Sequence, residues 1–399
     1  MPTCDTDTIK FAIMEEKTKN TERLARYIII GGSIAIIGII CWFFRSVLGY
    51  IIGAIVLSLI ARPIMKLLNK IRIKGKTAPQ WLLAVITMLL IISLLGLIIK
   101  LAVPTITGIA SNISVANVES LGKQISEPLA DLNSFLAGNF PQLGKDFRLE
   151  TFLLKEVQKI FDFTTFSSVL GSAASAISSF GVGLFAILFI GFFFIKDDRL
   201  FAKIVAALVP DRLEKEATKA IDDIQYLLTR YFGGLVLEIA GVALLNFLLL
   251  WLVARLNFNY ALGIGFITGI LNIIPYIGPL FGGIIGTIMG LILKYCSVVP
   301  MGLNVNFIAF VIILIAVFCV TQLVDNILYQ PLIYSTSIKS NPLEIFIVIL
   351  LVGFIGGPLA MIAAIPSYTV LRVIAFRFFG NVKAIRRLIP DEKLISKSK

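Results

Sequence analysis

Apolar runs of membrane-crossing length recur along the whole chain, and this repetition limits the possible folds more than any other feature. They cover Tyr27 to Phe44, Val47 to Ala61, Trp81 to Val103, Ala174 to Ile195, Gly233 to Val253, Ala261 to Leu293, Phe307 to Leu328 and Leu343 to Leu371. A hydrocarbon layer of about 30 Å takes about 20 helical residues to span, and inside it every backbone donor and acceptor needs a partner in the protein. With 58% hydrophobic and only 15% charged residues, and a mean hydropathy of +0.94, the chain reads as an all-α integral membrane protein with about eight hydrophobic segments.

Two of these segments are interrupted. Ala261 to Leu293 holds 33 residues, about 50 Å of helix, which is too long for one span without strong tilt. Inside it lies "LNIIPYIGPLFGG", where Pro275 and Pro279 each lack a backbone donor and displace the carbonyl a turn earlier, while Gly278 permits backbone angles that other residues resist. The break is therefore expected at residues 275–279, leaving two arms of about 22 Å each, short of a full span. The last segment repeats the plan in "FIVILLVGFIGGPLAMIAAIP", an apolar arm followed by Gly356, Gly357 and Pro358 and a second arm. Each broken segment follows an intact one. Paired Gly/Pro-interrupted segments in corresponding positions point to a transport site built by an internal repeat. If both broken segments cross the membrane there are eight spans; if both fold back as re-entrant hairpins there are six, and the second unit is inverted relative to the first. Hairpins are the favoured reading.

The distribution of charge orients the chain. Arg62, Lys66, Lys70, Arg72, Lys74 and Lys76 lie between the second and third runs with no acid among them, which places that segment in the cytoplasm. Counting spans from there puts both termini in the cytoplasm. The expected organisation is a cytoplasmic N-terminal segment (1–26), the first three membrane helices (27–103), an extracytoplasmic helical hairpin (104–173), a fourth span with a cytoplasmic amphipathic helix (174–232), a transport core with the two broken repeats (233–377) and a basic cytoplasmic tail (378–399). The amphipathic helix starts at Asp211 as cap and turns Leu213, Ala217, Ala220, Ile221, Ile224, Leu227, Leu228 and Tyr231 to one side, with Lys215, Glu216, Lys219 and Asp223 largely on the others.

What is absent narrows the chemistry. The chain has no histidine, which removes Ser-His-Asp and Cys-His catalysis and His-ligated zinc or haem. Its four cysteines are scattered without a C-x-x-C spacing and read as apolar fillers. There is no G-x-x-x-x-G-K-[ST] for an ATP-driven pump. Asp197-Asp198 and Asp222-Asp223 are adjacent acidic pairs in a charged inner segment, read as solvated surface. The expectation is a protein that is not an enzyme and needs no cofactor or metal. The surplus of 36 Lys+Arg over 24 Asp+Glu flanks the membrane segments instead of forming a nucleic-acid stripe.

Polar residues inside the apolar runs are few, and a central Asp or Lys costs on the order of 2.5 to 3.5 kcal/mol on insertion scales. Gln322, Asp325, Asn326, Tyr329 and Gln330 fall on one side of a helix near the end of their run, as a substrate or ion site or as an interfacial cap. Glu238 lies about a turn and a half into the fifth run, with Asn246 two turns further. It serves either an interhelical hydrogen bond or ion coupling. Asn272 and Tyr276 flank the first break and offer amide and phenol groups either to a hydroxylated ligand or to freed carbonyls. Pro275, Gly278 and Pro279 shape the wall between them. Glu344 follows Pro342 and favours a helix start by its charge.

"LNIIPYIGPLFGG", followed by "TQLVDNILYQPLIYSTSIKSNPLEIFIVILLVGFIGGPLAMIAAIP", resembles the signature of the autoinducer-2 exporter family, also called PerM-like permeases. "FFFIKDDRLFAKIVAALVP" and "RYFGG" look like that family's inner loop and fifth-span entry. The chain departs from the pattern at Gly233, Gly234 and Leu235, where the family often has Arg-Gly-Gln. The resemblance covers roughly residues 20–380. It implies a bacterial inner-membrane transporter; some members are linked to export of the furanone signal autoinducer-2 and others resemble sodium/proton antiporters. The leading expectation is a secondary transporter, a homo-oligomer in the lipid bilayer, that exports a small polar solute with Asp325 and Glu238 sensing protons. A sodium/proton antiporter using the same carboxylates, and a scaffold that transports nothing, are the alternatives.

Overall fold

The computed structural model describes residues 38–70, 72–73, 76–115, 182–197, 199–295, 302–331 and 342–379, with scattered residues at 28–36 and 129–148. The expected N-terminal segment, most of the extracytoplasmic hairpin and nearly all of the basic tail lie outside these residues.

The described chain is helical apart from a two-residue antiparallel ladder, Arg72–Ile73 against Lys76–Thr77. Helix α1 is Arg45–Leu68, α2 Gln80–Val115, α3 Val182–Lys196, α4 Leu200–Leu208 and α5 Asp211–Leu252. Then follow α6 (Phe258–Leu271), α7 (Ile277–Tyr295), α8 (Phe307–Val324) and α9 (Pro342–Phe379). Among the described residues, six helices are long and apolar enough to cross a membrane, and shorter apolar helices accompany them. The first two apolar runs are not separated by a reversing loop. Phe44 interrupts the helix, yet its N–H donates to Ile40 O and the Leu48 N–H donates to Phe44 O, so the chain bends there and continues.

Helix α5, 42 residues long, organises the rest. Asp211 is its first helical residue and makes no capping hydrogen bond; with Glu214 it places negative charge in the first turn, where the helix dipole favours it. Ala217, Ala220, Ile221, Leu227, Leu228 and Tyr231 are buried as the apolar spacing requires. Asp223 departs from the expected solvated face. It is 7% exposed because Arg377, returning from the far end of α9, donates to its Oδ2 from both Nε and an η nitrogen.

Both broken segments fold back on themselves. Helix α6 ends at Leu271, just where the Pro275 ring would meet a carbonyl four residues earlier. The turn therefore occupies residues 272–276, ahead of the expected 275–279, and α7 restarts at Ile277 with Pro279 in its first turn, where a missing donor is harmless. Gly278 allows the return, since a Cβ there would collide with Leu271 O. The base of this hairpin is closed by the Leu303 N–H on Ala254 O at 3.0 Å. Lys294 adds Nζ donations to Leu303 O at 2.7 Å and Val305 O at 2.8 Å.

Helix α9 reverses at Gly357, whose φ of 71° and ψ of −167° belong to a region that only glycine enters freely. Gly353 then lies against Met361, Ile345 and Ile349 pack with Ala364 and Ile365, and Glu344 is in electrostatic contact with Arg372. The first hairpin has its base at the Leu252 end of α5. The second, through Val373 on Ala220 and Leu227 and through Arg377 on Asp223, has its base at the Asp211 end.

Two apolar cores divide α5 between them. One joins Phe247 and Leu250 of α5 to Ala261 and Ile264 of α6, Met289 and Leu293 of α7, and Phe310 and Leu314 of α8. The other joins Leu228, Tyr231, Phe232 and Leu235 of α5 to Leu59 of α1 and to both arms of α9. Helices α1, α2 and α3 form a side cluster around Ala61, Met88 and Ile195.

Because α6 and α7 are antiparallel, Asn257 and Asn304 lie at the same end of the bundle. In a variant with the native cysteines replaced by alanine, Asn257→Cys and Asn304→Cys should react with an impermeant maleimide from the same side of a sealed vesicle. Labelling from opposite sides would require α6 and α7 to form one crossing segment.

Candidate functional site

Between the two cores, α5 presents Glu238. Its carboxyl is 2% exposed and receives the Asn272 Nδ2 at 3.3 Å from the tip of the first hairpin. From another direction comes Asp325, 1% exposed, whose Oδ2 receives Gln330 Nε2 at 2.9 Å. The two carboxyls lie within hydrogen-bonding range of each other, and Asp325 Oδ1 has no donor among the described residues. No cation pairs with either acid among the described residues.

The backbone explains why Asp325 points inward. Residues Asp325–Tyr329 continue α8 as a π-turn, closed by the Gln330 N–H on Asp325 O. This inserts one extra residue into the helical register, a feature common at functional sites. It divides the polar set that simple helical spacing places on one side. Asp325, Tyr329 and Gln330 turn toward α5, whereas Gln322 and Asn326 bond to each other at 3.1 Å on the exposed side. Tyr329 fits because its ring lies over Gly241, one turn beyond Glu238, where any Cβ would run into it.

The hairpin tip is strained. Ile277 N–H donates to Pro275 O at 2.8 Å, closing a γ-turn around Tyr276, whose φ is 65°. A bulky side chain rarely adopts that region. The turn aims the Tyr276 ring at Phe346 on the second hairpin, edge to face at 5.5 Å. Asn272 ends α6 with its own N–H on Gly269 O at 3.2 Å, which frees its side-chain amide for Glu238. Pro275, Gly278 and Pro279 set the path of the turn and contribute no polar side-chain group.

Chemically, two carboxyls in contact cannot both remain ionised at low cost, since like charges and burial both disfavour it. A single proton between them turns one acid into a donor and supplies Asp325 Oδ1 with its missing partner. Sequence reasoning did not single out Gly241 or Thr268. Their signal, a small residue and a hydroxyl in an apolar helix, has no address until the packing partner is known. Thr268 Oγ1 receives the Asn246 Nδ2 at 2.9 Å, a second buried polar bridge between α5 and the first hairpin.

The chain matches a family described as "AI-2E family transporter" over residues 32–378, which include both hairpins and the carboxyl pair. It is 26% identical over 351 residues to "Putative transport protein YueF" of Bacillus subtilis (strain 168), covering 86% of each chain. It is 28% identical over 190 residues to "Putative transport protein YrrI" of the same organism, covering 48% of this chain and 49% of that one.

Gly241→Ala should destabilise the protein in a thermal melt, by about 1–3 kcal/mol, as overpacking does. Alanine is otherwise favoured over glycine in a helix by roughly 1 kcal/mol, so a net loss isolates the collision with Tyr329. Adding Tyr329→Leu should restore much of the stability; no recovery would place the collision elsewhere.

Proposed function

The chain belongs to the AI-2E family of transporters, and on that premise we propose that it is a secondary transporter exporting a small polar organic solute, of the autoinducer-2 type, with a proton gradient as its driving force. The observation that carries this reading is the Glu238–Asp325 pair, buried between two apolar cores where α5, the tip of the first hairpin and the π-turn come together. Ionisable groups inside a membrane protein are expensive, and where they persist they usually mark ion or proton pathways. The first broken segment, whose tip carries Asn272, adds backbone and amide groups there that a solute can bind.

In this reading the two hairpins re-enter the bacterial inner membrane from opposite faces as an inverted repeat. The basic segment around Arg62 to Lys76 and the tail beyond Arg372 lie in the cytoplasm. Asn272 and Tyr276 at the first tip, with Asp325 and Gln330 on the π-turn, contact the solute or hold the proton. Pro275, Gly278 and Pro279 form the wall, and Gln322 and Asn326 on the exposed side serve a neighbouring subunit of a homo-oligomer.

Binding one proton joins α5 to the π-turn through a carboxylic acid hydrogen bond. Losing it leaves two like charges face to face and drives the elements apart. A solute site at this seam is thereby open or closed according to the proton.

Purified protein in liposomes should move a small hydroxylated solute faster when a pH gradient is imposed. Asp325→Asn and Glu238→Gln should each reduce gradient-driven flux at least tenfold while solute exchange without a gradient persists. Wild-type pH dependence in both variants would remove the pair from the mechanism. Sodium-driven proton flux with no organic solute would instead indicate cation exchange.

A further inference from the structure

The carboxyl pair is one step in a longer column on α5. Asp223, Tyr231, Glu238 and Asn246 are separated by two helical turns each, and all are buried, at 7%, 2%, 2% and 2% exposure. From first to last the column rises about 35 Å at 1.5 Å per residue, close to the thickness of a bilayer core. Each member meets a different part of the fold. Asp223 holds Arg377 of the second hairpin, Tyr231 lies among Leu59 and the α9 arms, Glu238 meets Asn272 and Asp325, and Asn246 meets Thr268.

We propose that Tyr231 and Asn246 relay protons between the Glu238–Asp325 pair and the two membrane faces, Tyr231 toward the Asp223 end and Asn246 toward the Leu252 end. This rests on the proton-coupled reading above. Asn246 carries the clearest mark of an unfilled role. Its amide nitrogen donates to Thr268 Oγ1, but that hydroxyl sits at 2.9 Å from Ile264 O, to which it donates its own proton. Asn246 Oδ1 is left buried with no donor among the described residues. An amide oxygen so placed is an acceptor without a donor, and in the proposed relay an internal water fills that place.

On the other side of the pair, the Tyr231 phenol lies within the field of the Glu238 carboxyl and sits two turns along the same face. A phenol can take a proton on its oxygen as it hands on its own, so each transfer forms one O–H bond and breaks one, and the column gains nothing until the pair itself binds the proton. The charged and titratable groups facing the column are Asp325 and Tyr329 from the π-turn and Arg377 from the second hairpin; Asn272, Gln330 and Thr268 face it as neutral groups.

The seam beside Asn246 is too tight for an organic solute. A Cβ on Gly265 would stand 2.6 Å from Phe247 N, and one on Gly269 would stand 2.6 Å from the Ala243 Cβ. Protons and solute thus take separate routes to one pair.

The test uses the full-length protein in liposomes of single orientation, with a rapid pH jump applied to one side at a time and proton uptake followed by a pH dye. Tyr231→Phe should slow uptake from the Asp223 side at least tenfold and leave the opposite side at the wild-type rate. Asn246→Leu, similar in volume, should do the reverse, and thermal melts check that both remain folded. Wild-type rates from both sides, or equal slowing from both, would overturn the relay. Glu238→Gln separates the two ideas: if it abolishes uptake while the relay variants behave as wild type, only the relay fails. If it leaves uptake and coupled flux intact, the proton-coupled reading fails first.

Discussion

Two acids from different helices share one buried space in this protein, with no cation bonded to either among the described residues. Much of the surrounding architecture makes that tolerable. Asn272 reaches Glu238 only because α6 stops at Leu271 and turns. Gln330 reaches Asp325 across the π-turn, five residues on instead of the usual four. Gly241 admits Tyr329, which lets the π-turn lie close to α5. Each device supplies a neutral hydrogen bond or removes an obstacle to one, and none supplies a counter-charge. Removing the cation from a buried pair leaves an uncompensated charge; among the described residues each acid here has an amide and the other acid as its partners, and no cation.

The hairpins follow from backbone chemistry. A helix broken in hydrocarbon leaves amides and carbonyls without partners, and each must find one in the protein. At the first break this is done locally, by the Ile277 N–H on Pro275 O, the Gly278 N–H on Ile274 O and the Asn272 N–H on Gly269 O. Glycines then allow α6 to lie directly on α5 and α7 on Phe318 and Leu314 of α8. Without water to drive association, helices in a membrane gain most from such close approach. The two hairpins have their bases at opposite ends of α5, and the tip of the first, through Tyr276, meets Phe346 on the first arm of the second.

The architecture was largely legible in the sequence because run length and Pro/Gly placement are local signals. The 33 residues from Ala261 to Leu293 exceed one span, and Gly357 carries the second reversal where the Gly-Gly-Pro triplet stands. The break itself sits earlier than the prolines because Pro275 acts on the carbonyl behind it. The first two apolar runs misled in one respect, since a helix bent at Phe44 and a helical hairpin have the same hydropathy. The division of the polar set around Asp325 was hidden because a π-turn has no sequence rule, and the simple 3.6-residue period places Gln322 and Asn326 beside Asp325. Asp223 was read as solvated because its partner Arg377 lies 154 residues away. Its spacing from Tyr231 and Glu238 held the clue that local charge did not.

On the proposed reading, the location of the pair between two cores decides what a single proton can do. Each core is closed and apolar, with Phe310, Leu314, Ile264 and Leu250 fully buried in one and Ile349 and Ile365 in the other. Packing of this density resists gradual deformation and favours movement of one body against the other. Two unit charges about 4 Å apart repel by about 4 kcal/mol at an effective dielectric constant near 20. That corresponds to a shift of roughly a thousandfold in a two-state equilibrium, approaching the factor of about ten thousand that carries a protein from almost wholly one state to almost wholly the other. The same charges on the surface would be screened by water and salt. Placed within either core they would strain its packing; between the cores their repulsion acts on the seam between α5 and the π-turn.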